Sequence, residues 1–511
     1  MALSKVNSCG ISGVDGYILD VEVDIGQGLP GIDIVGLPDT AVKESKERIK
    51  SALKNSGFIL PQKKIIVNLA PANTKKEGVY LDLPISIAIL AASGQIPSEC
   101  AAEYLIIGEL ALDGGLRCVN GALPSAVAAV SHGLKKLILP CENAKEASVA
   151  EGVEVYGAKN LAEAVLHLRG EKCIEKTVTD IDALFAATEK YADDFSDVRG
   201  QESAKRALEI AAAGGHNCLM IGSPGSGKTM LAKRLPSILP NLSFDEALEV
   251  TKIYSIAGKL KPDTPLITQR PFRSPHHTVS SVGLTGGGSN PKPGEMSLAH
   301  RGVLFLDEFP EFRKDAVEAM RQPLEDGCLT VSRVAGSAVF PSSVMLIASM
   351  NPCKCGYYGD PTRECTCTPG QIQKYLGKIS GPILDRFDMH IEVPAVKYDE
   401  LSSDRRGESS AKIRERVNRA RKIQLERYKD FKLYCNAQLN SALIEKFCAL
   451  DDECKTILKA AFDTFGLSAR AHSRILKVAR TIADLNGSEN IKIEHLTEAI
   501  QYRTLDKKFQ F

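Results

Sequence analysis

Residues Cys218-Leu-Met-Ile-Gly222-Ser-Pro-Gly-Ser-Gly-Lys228-Thr229-Met-Leu-Ala-Lys-Arg-Leu235 decide how the rest of the chain is read. A short apolar run of strand type feeds Gly222, Ser223, Pro224, Gly225, Ser226 and Gly227, then Lys228 and Thr229, and a helix-forming run follows. This is the G-x-x-x-x-G-K-[ST] pattern in the strand–loop–helix setting it requires. Glycines let successive N–H groups turn inward onto phosphate oxygens at a helix start. Lys228 reaches the β- and γ-phosphates and Thr229 offers a hydroxyl to Mg²⁺. The stretch predicts an α/β fold that binds ATP.

Three further stretches extend the reading downstream. Gly302-Val-Leu-Phe-Leu-Asp307-Glu308 is an apolar strand ending in two acids. Asp307 would complete the Mg²⁺ shell and Glu308 would polarise the attacking water. Many strands end in acids, so this pair carries weight only because a P-loop precedes it. Val344-Met-Leu-Ile-Ala-Ser-Met-Asn351 ends in a polar residue where open α/β sheets bind ligands, which suits a sensor of water or γ-phosphate. Alone, Asn351 before Pro352 reads as a turn. In Gly381-Pro-Ile-Leu-Asp-Arg386-Phe-Asp388, Arg386 suits either charge supplied in trans to a neighbour's phosphate or an ion pair with Asp385 or Asp388.

The chain has 511 residues, 44% hydrophobic and 25% charged, with a formal net charge of +1. That length predicts about three domains. Residues 1–170 read as one α/β domain, with strands at Ile65–Leu69, Tyr104–Gly108 and Lys136–Pro140 and helices at Pro84–Ala92 and Ala122–Val130. Residues 171–196 read as a charged linker, 197–396 as the nucleotide-binding domain and 397–511 as helical. Near-neutral charge excludes a bulk polycation but not a local basic face. The longest apolar run, Leu83–Ala92, is too short to span a bilayer. No secretory signal is visible at the start, so a cytoplasmic, non-membrane protein is expected. Its 14 cysteines then read as free thiols or metal ligands.

Together these motifs resemble those of the ComM/YifB family, the magnesium-chelatase-like AAA+ ATPases. Asp197-Val-Arg-Gly-Gln201 resembles the box that packs on adenine. Arg270-Pro-Phe-Arg-Ser-Pro-His-His277 and Gly294-Glu-Met-Ser-Leu-Ala-His-Arg-Gly302 resemble the segment preceding the acidic strand, and the long gap from Lys228 to Asp307 resembles the clade with an inserted β-hairpin. The resemblance implies an arginine finger at Arg386, a sensor 2 arginine at Arg470 with Arg474 as runner-up, a homo-oligomeric, hexameric ring, and a helical lid at 397–511. It also implies a Lon-protease-like (S5-type) fold for 1–170. Lon's nucleophile position holds Tyr80 and its lysine position holds Leu123, so no catalytic dyad is expected.

Cys353-Lys-Cys355 and Cys365-Thr-Cys367 frame a short glycine-containing loop and can offer four thiolates to Zn²⁺, although C-x-C spacing also suits free thiols or a redox pair. The other ten cysteines read as buried small apolar residues. His276-His277 reads as a hydrogen-bonded loop feature. The family resemblance implies a DNA translocase or branch-migration helicase acting on branched or single-stranded DNA in recombination or natural transformation. Arg333 and Lys292, in the hairpin-like stretches 329–340 and 280–292, would touch phosphates, with solvated loop charges as the plainer reading. The alternative is a protein-remodelling or chelatase-type motor subunit; a protease-associated unfoldase is a third reading, opposed by the missing dyad.

Overall fold

The computed structural model describes residues 2–72, 76, 78–186, 191, 193–261, 263–288, 291–333, 336–361, 363–396 and 407–506. They form two compact units that are not continuous in sequence. The first comprises 1–187, 244–267 and 330–340, and the second 188–243, 268–329 and 341–511.

The first unit is built on a mixed eight-stranded sheet. Two long strands, Ala2–Ser12 and Asp15–Gly26, pair antiparallel along their whole length and sit at its centre. Alternate residues Val6, Leu19, Val21 and Val23 are fully buried, the period-2 pattern of a sheet with one covered face. The cover is the helix Asp82–Ala92, all of whose residues are buried. This accounts for the apolar run Leu83–Ala92: it is a core helix. Asp82 at its start is anchored by Arg48 (2.8 and 3.2 Å) and by the Leu110 N–H. Burial pushes the Asp82 carboxyl up; the Arg48 bond opposes that shift. Within the stretch read as a linker, Lys176–Thr177 adds an antiparallel strand beside Glu154–Ala158, and Ile181–Ala186 is a helix.

Two segments from the nucleotide-motif stretch belong to this first unit. The helix Phe244–Ile256 lies against Ala122–Ser131. The Gly121 N–H donates to Ser255 Oγ at 3.0 Å, and Lys252 pairs with Asp15 at 3.0 Å. The hairpin of Cys328–Arg333 and Gly336–Pro341 brings Val339 against Gly13, where an added Cβ would lie 2.7 Å from the Val339 carbonyl. Residues 334 and 335 and the Arg333 side chain lie outside the described residues. In the stretch 280–292, Ser281–Thr285 is a short helix, and Gly286–Gly287 pairs with Lys292–Pro293. The Lys292 side chain is exposed.

The second unit has a five-stranded, all-parallel sheet. In chain order its strands are Phe272–Arg273, Val303–Leu306, Met345–Met350 and Met389–Glu392, preceded by Cys218–Ile221, which lies between the last two. Cys218–Ile221, Val303–Leu306 and Met345–Met350 are buried at every position, as expected for strands covered on both faces. The C-terminal part is helical: Ser410–Tyr428, Ser441–Phe447, Asp452–Phe465, Ala469–Leu485 and Ile493–Gln501. Ser468 caps Ala469–Leu485 by accepting the Ala471 N–H. Among the described residues no helix is long and apolar enough to cross a membrane.

Candidate nucleotide site

The loop after Cys218–Ile221 is shaped by contacts that only glycine permits. Gly225 and Gly227 have φ of +77° and +86°. A Cβ on Gly222 would lie 2.2 Å from the Val393 carbonyl. Gln201 clamps the loop from outside, its amide Nε2 donating to Ser226 O (2.6 Å) and Pro394 O (3.0 Å). Lys228 opens the helix Lys228–Arg234, and its ammonium donates to Gly222 O (2.8 Å) and Ser223 O (2.9 Å), with Ser226 Oγ at 3.3 Å. The amine therefore occupies the cradle that phosphate oxygens would enter. Burial lowers its pKa to about 8, partly opposed by the charge of Asp307.

Strand register brings Asp307 to the start of the Lys228 helix. Thr229 Oγ1 donates to Asp307 Oδ2 at 2.7 Å, and Ser349, next to the end of the neighbouring strand, donates to the other oxygen. Asp307 is thus fixed beside the Thr229 hydroxyl, and these are the two residues predicted to share a Mg²⁺ ion. Glu308 has φ +51°, in the left-handed region that a non-glycine residue rarely adopts, and its side chain is 64% exposed. Such strain persists where surrounding structure imposes it and tends to mark functional positions. One Glu308 carboxylate oxygen lies 3.6 Å from His277 Nδ1. The His277 ring packs at 4.1 Å on His276 and edge-on against Phe312. Asn351 Oδ1 accepts from Lys228 Nζ at 3.3 Å, so the residue predicted as a sensor touches the lysine predicted to hold phosphate.

Arg386, Arg470 and Arg474 gather elsewhere. Met389 pairs with Cys218 in the parallel register, and the Asn217 side chain donates to the Arg386 carbonyl at 2.9 Å. Arg386 therefore stands at the amino ends of the strands, and the phosphate loop at the carboxyl ends. About 13 Å of strand separates them. The Arg386 guanidinium pairs with Glu325, not with the Asp385 or Asp388 weighed from sequence. Asp385 instead holds Arg470 (2.5 Å) and, at 3.8 Å, Arg474, which also meets Asp388 at 3.5 Å. Burial lowers the Arg474 pKa; Asp388 opposes this and Arg503 and Arg386 add to it. Arg386 Nε and Arg474 Nη1 are buried without an acceptor among the described residues.

All four sulfurs of Cys353, Cys355, Cys365 and Cys367 lie within 4.8 Å of one another. The remaining cysteines correct the expectation of uniform burial. Cys9, Cys218, Cys435, Cys448 and Cys454 are buried, but Cys118, Cys141 and Cys173 are exposed and Cys100 and Cys328 are half-buried.

Comparison with known proteins matches this sequence to a family. The model "Magnesium chelatase, subunit ChlI" matches residues 194–401, "Subunit ChlI of Mg-chelatase" matches 21–143, and "Magnesium chelatase, subunit ChlI C-terminal" matches 407–503. "Uncharacterized protein YifB" of Escherichia coli is 46% identical over 510 residues, 99% of this chain and 98% of that protein. The chain belongs to the ComM/YifB family of magnesium-chelatase-like ATPases. Another member, "Competence protein ComM" of Haemophilus influenzae, is 44% identical over 513 residues, 100% of this chain and 99% of that protein. A more distant relative, "Magnesium-chelatase subunit ChlI" of Chlorella vulgaris, is 25% identical over 232 residues, 40% of this chain and 59% of that protein. Membership in the ComM/YifB family supports an ATPase that uses ATP and Mg²⁺.

Proposed function

We propose that the chain is an AAA+ ring motor whose ATP sites are each completed by a neighbouring copy, and that the ring translocates on DNA. The observation that carries the shared site is the separation of the arginines from the phosphate loop. Arg386 and Arg470 stand at the strand ends opposite Gly222–Thr229, so a ring that sets one copy's arginine end against the next copy's loop would join them. Within one site, Lys228 and the loop N–H groups hold the triphosphate. Glu308 orients the attacking water, Asn351 reads the γ-phosphate, and Arg386 and Arg470 from the neighbour offset charge on the transferred group. Thr229 and Asp307 would hold Mg²⁺, which would supply neutralising charge to the triphosphate. Glu308→Gln is expected to bind ATP with near-normal affinity and to lose turnover by roughly 10²-fold or more. Normal turnover in that variant would remove Glu308 from its role.

The DNA reading rests on the family resemblance and on the name of the competence relative, which ties that protein to competence. The exposed Lys292 of the short hairpin is one candidate phosphate contact. Branched DNA is expected to raise ATP turnover, with binding that weakens steeply between about 50 and 200 mM salt. The second reading, a motor acting on a partner protein, is favoured by the chelatase-subunit models that match the chain. Absence of both DNA stimulation and salt-sensitive DNA binding would select it.

The first unit is proposed to be Lon-like in fold and to bind or assemble, not to cleave peptides. Burial pushes the Tyr80 hydroxyl far up, with Tyr17 and Cys9 adding to the shift, and the Ile11 backbone bonds it. Leu123 is fully buried. Neither position offers a nucleophile or a base. Peptide hydrolysis lost in Tyr80→Phe would contradict this.

A further inference from the structure

The cysteine loop lies between two elements that the nucleotide site uses. Cys353 follows Asn351 by two residues, and Asn351 touches Lys228. The loop then turns at Gly356, whose φ is +89°, and there meets the phosphate loop. A Cβ on Gly356 would lie 2.5 Å from Pro224 Cδ. Only a glycine fits that approach, so the cysteine loop buttresses the outer side of Gly222–Thr229.

The four sulfurs are arranged as ligands of a single ion. Cys353 Sγ lies 3.3 Å from Cys355 Sγ and 3.7 Å from Cys365 Sγ, and Cys355 Sγ lies 3.5 Å from Cys365 Sγ. Tetrahedral ligands at about 2.3 Å from a zinc ion stand about 3.8 Å apart. These separations are too long for a disulfide, whose S–S distance is about 2.05 Å. They are also too short for a multi-iron cluster, whose cysteines sit around several metal atoms. The Cys355 N–H donates to Cys367 Sγ and the Cys367 N–H to Cys365 Sγ, each at 3.4 Å. Backbone donors to sulfur are what a bound thiolate needs around it. Four thiolates in a closed site with no open position select zinc in a structural role.

We propose that Cys353, Cys355, Cys365 and Cys367 bind one Zn²⁺, and that the resulting knuckle holds the phosphate loop in its nucleotide-binding shape through Gly356 and Pro224. The second half rests on the reading of Gly222–Thr229 as the ATP site. The zinc braces one side of the loop through Pro224 and the other through Asn351 and Lys228. Losing it leaves the residues that touch ATP in place but frees the loop to sample other shapes, so the effect falls on affinity.

The test uses the purified full-length chain, elemental analysis and titration with a fluorescent ATP analogue. Wild type is expected to carry about one zinc per chain, and Cys365→Ser/Cys367→Ser to carry none and to bind the analogue roughly 10-fold or more weakly. Gly356→Ala keeps all four ligands, so it is expected to retain zinc and still bind the analogue more weakly. That variant separates the brace from general misfolding. Metal-free wild type with four freely titratable thiols, or iron in place of zinc, would overturn the zinc assignment. Zinc loss or Gly356→Ala without any change in analogue affinity would overturn the brace. Wild type that carries zinc but binds no nucleotide would count against the ATP-site reading and leave the metal site standing.

Discussion

Lys228 shows how much of the site is set by single side chains. Its ammonium is buried on loop carbonyls and its pKa is lowered to about 8. Triphosphate beside it would favour the charged form and raise that pKa. Below pH 8 the amine is already protonated, so binding is insensitive to pH. Above pH 8 the free amine is neutral and must gain a proton on binding, so affinity falls as pH rises. Calorimetry at pH 9 in buffers of different ionisation enthalpy is expected to show net proton uptake; none would contradict the burial argument. His277 is a second case. Both side chains of the His277–Glu308 pair are partly exposed, so the pair is worth at most about 1 kcal/mol. If it holds Glu308 away from water, His277→Ala raises kcat by up to about 5-fold with KM unchanged; a fall in kcat would instead make His277 part of the catalytic arrangement. The placement of Gly222–Thr229, Asp307, Glu308 and Asn351 at strand ends was legible in the sequence because each follows a recognisable apolar run. The contacts of His277, Ser349 and the Gln201 clamp were not, since each meets a partner distant in sequence. Ser349 left one trace, a lone hydroxyl in an otherwise apolar strand.

At the scale of elements, helical and strand periodicity located the main features and missed how they group. The strands at 64–70, 104–106 and 136–140 and the helices at 82–92 and 469–485 follow apolar patterns that depend on near neighbours. Nothing local signals that the helix Phe244–Ile256 packs with the N-terminal unit, because the contacts that hold it come from residues more than 100 positions away. Buried Glu146 sits at their centre. It accepts the Leu123 N–H (2.9 Å) and an Asn143 N–H (3.3 Å), and its carboxyl is pushed up by burial, with the Ser255 hydroxyl bond opposing. Glu146→Ala strands those donors and is expected to cost about 1–3 kcal/mol in denaturant unfolding, with Glu146→Gln, which keeps an acceptor, costing less. Equal losses for the two variants would show that charge, not hydrogen bonding, matters there.

Over the whole molecule, the decisive feature is that the phosphate loop and the arginines occupy opposite ends of one sheet. The sequence left Arg386 open between a finger and an ion pair, because periodicity does not say which end of a strand faces a neighbour. The register of Met389 with Cys218 says only at which end of the sheet Arg386 stands, opposite the loop Gly222–Thr229. The direct test mixes two variants, Lys228→Ala and Arg386→Ala, each inactive alone. In a mixed ring, an Arg386→Ala copy supplies an intact loop and a Lys228→Ala copy supplies an intact arginine to it. With random mixing about a quarter of the interfaces are complete, so ATP turnover is expected to recover to roughly that fraction of wild type. A mixture that forms rings and stays as inactive as its parts would contradict the shared site.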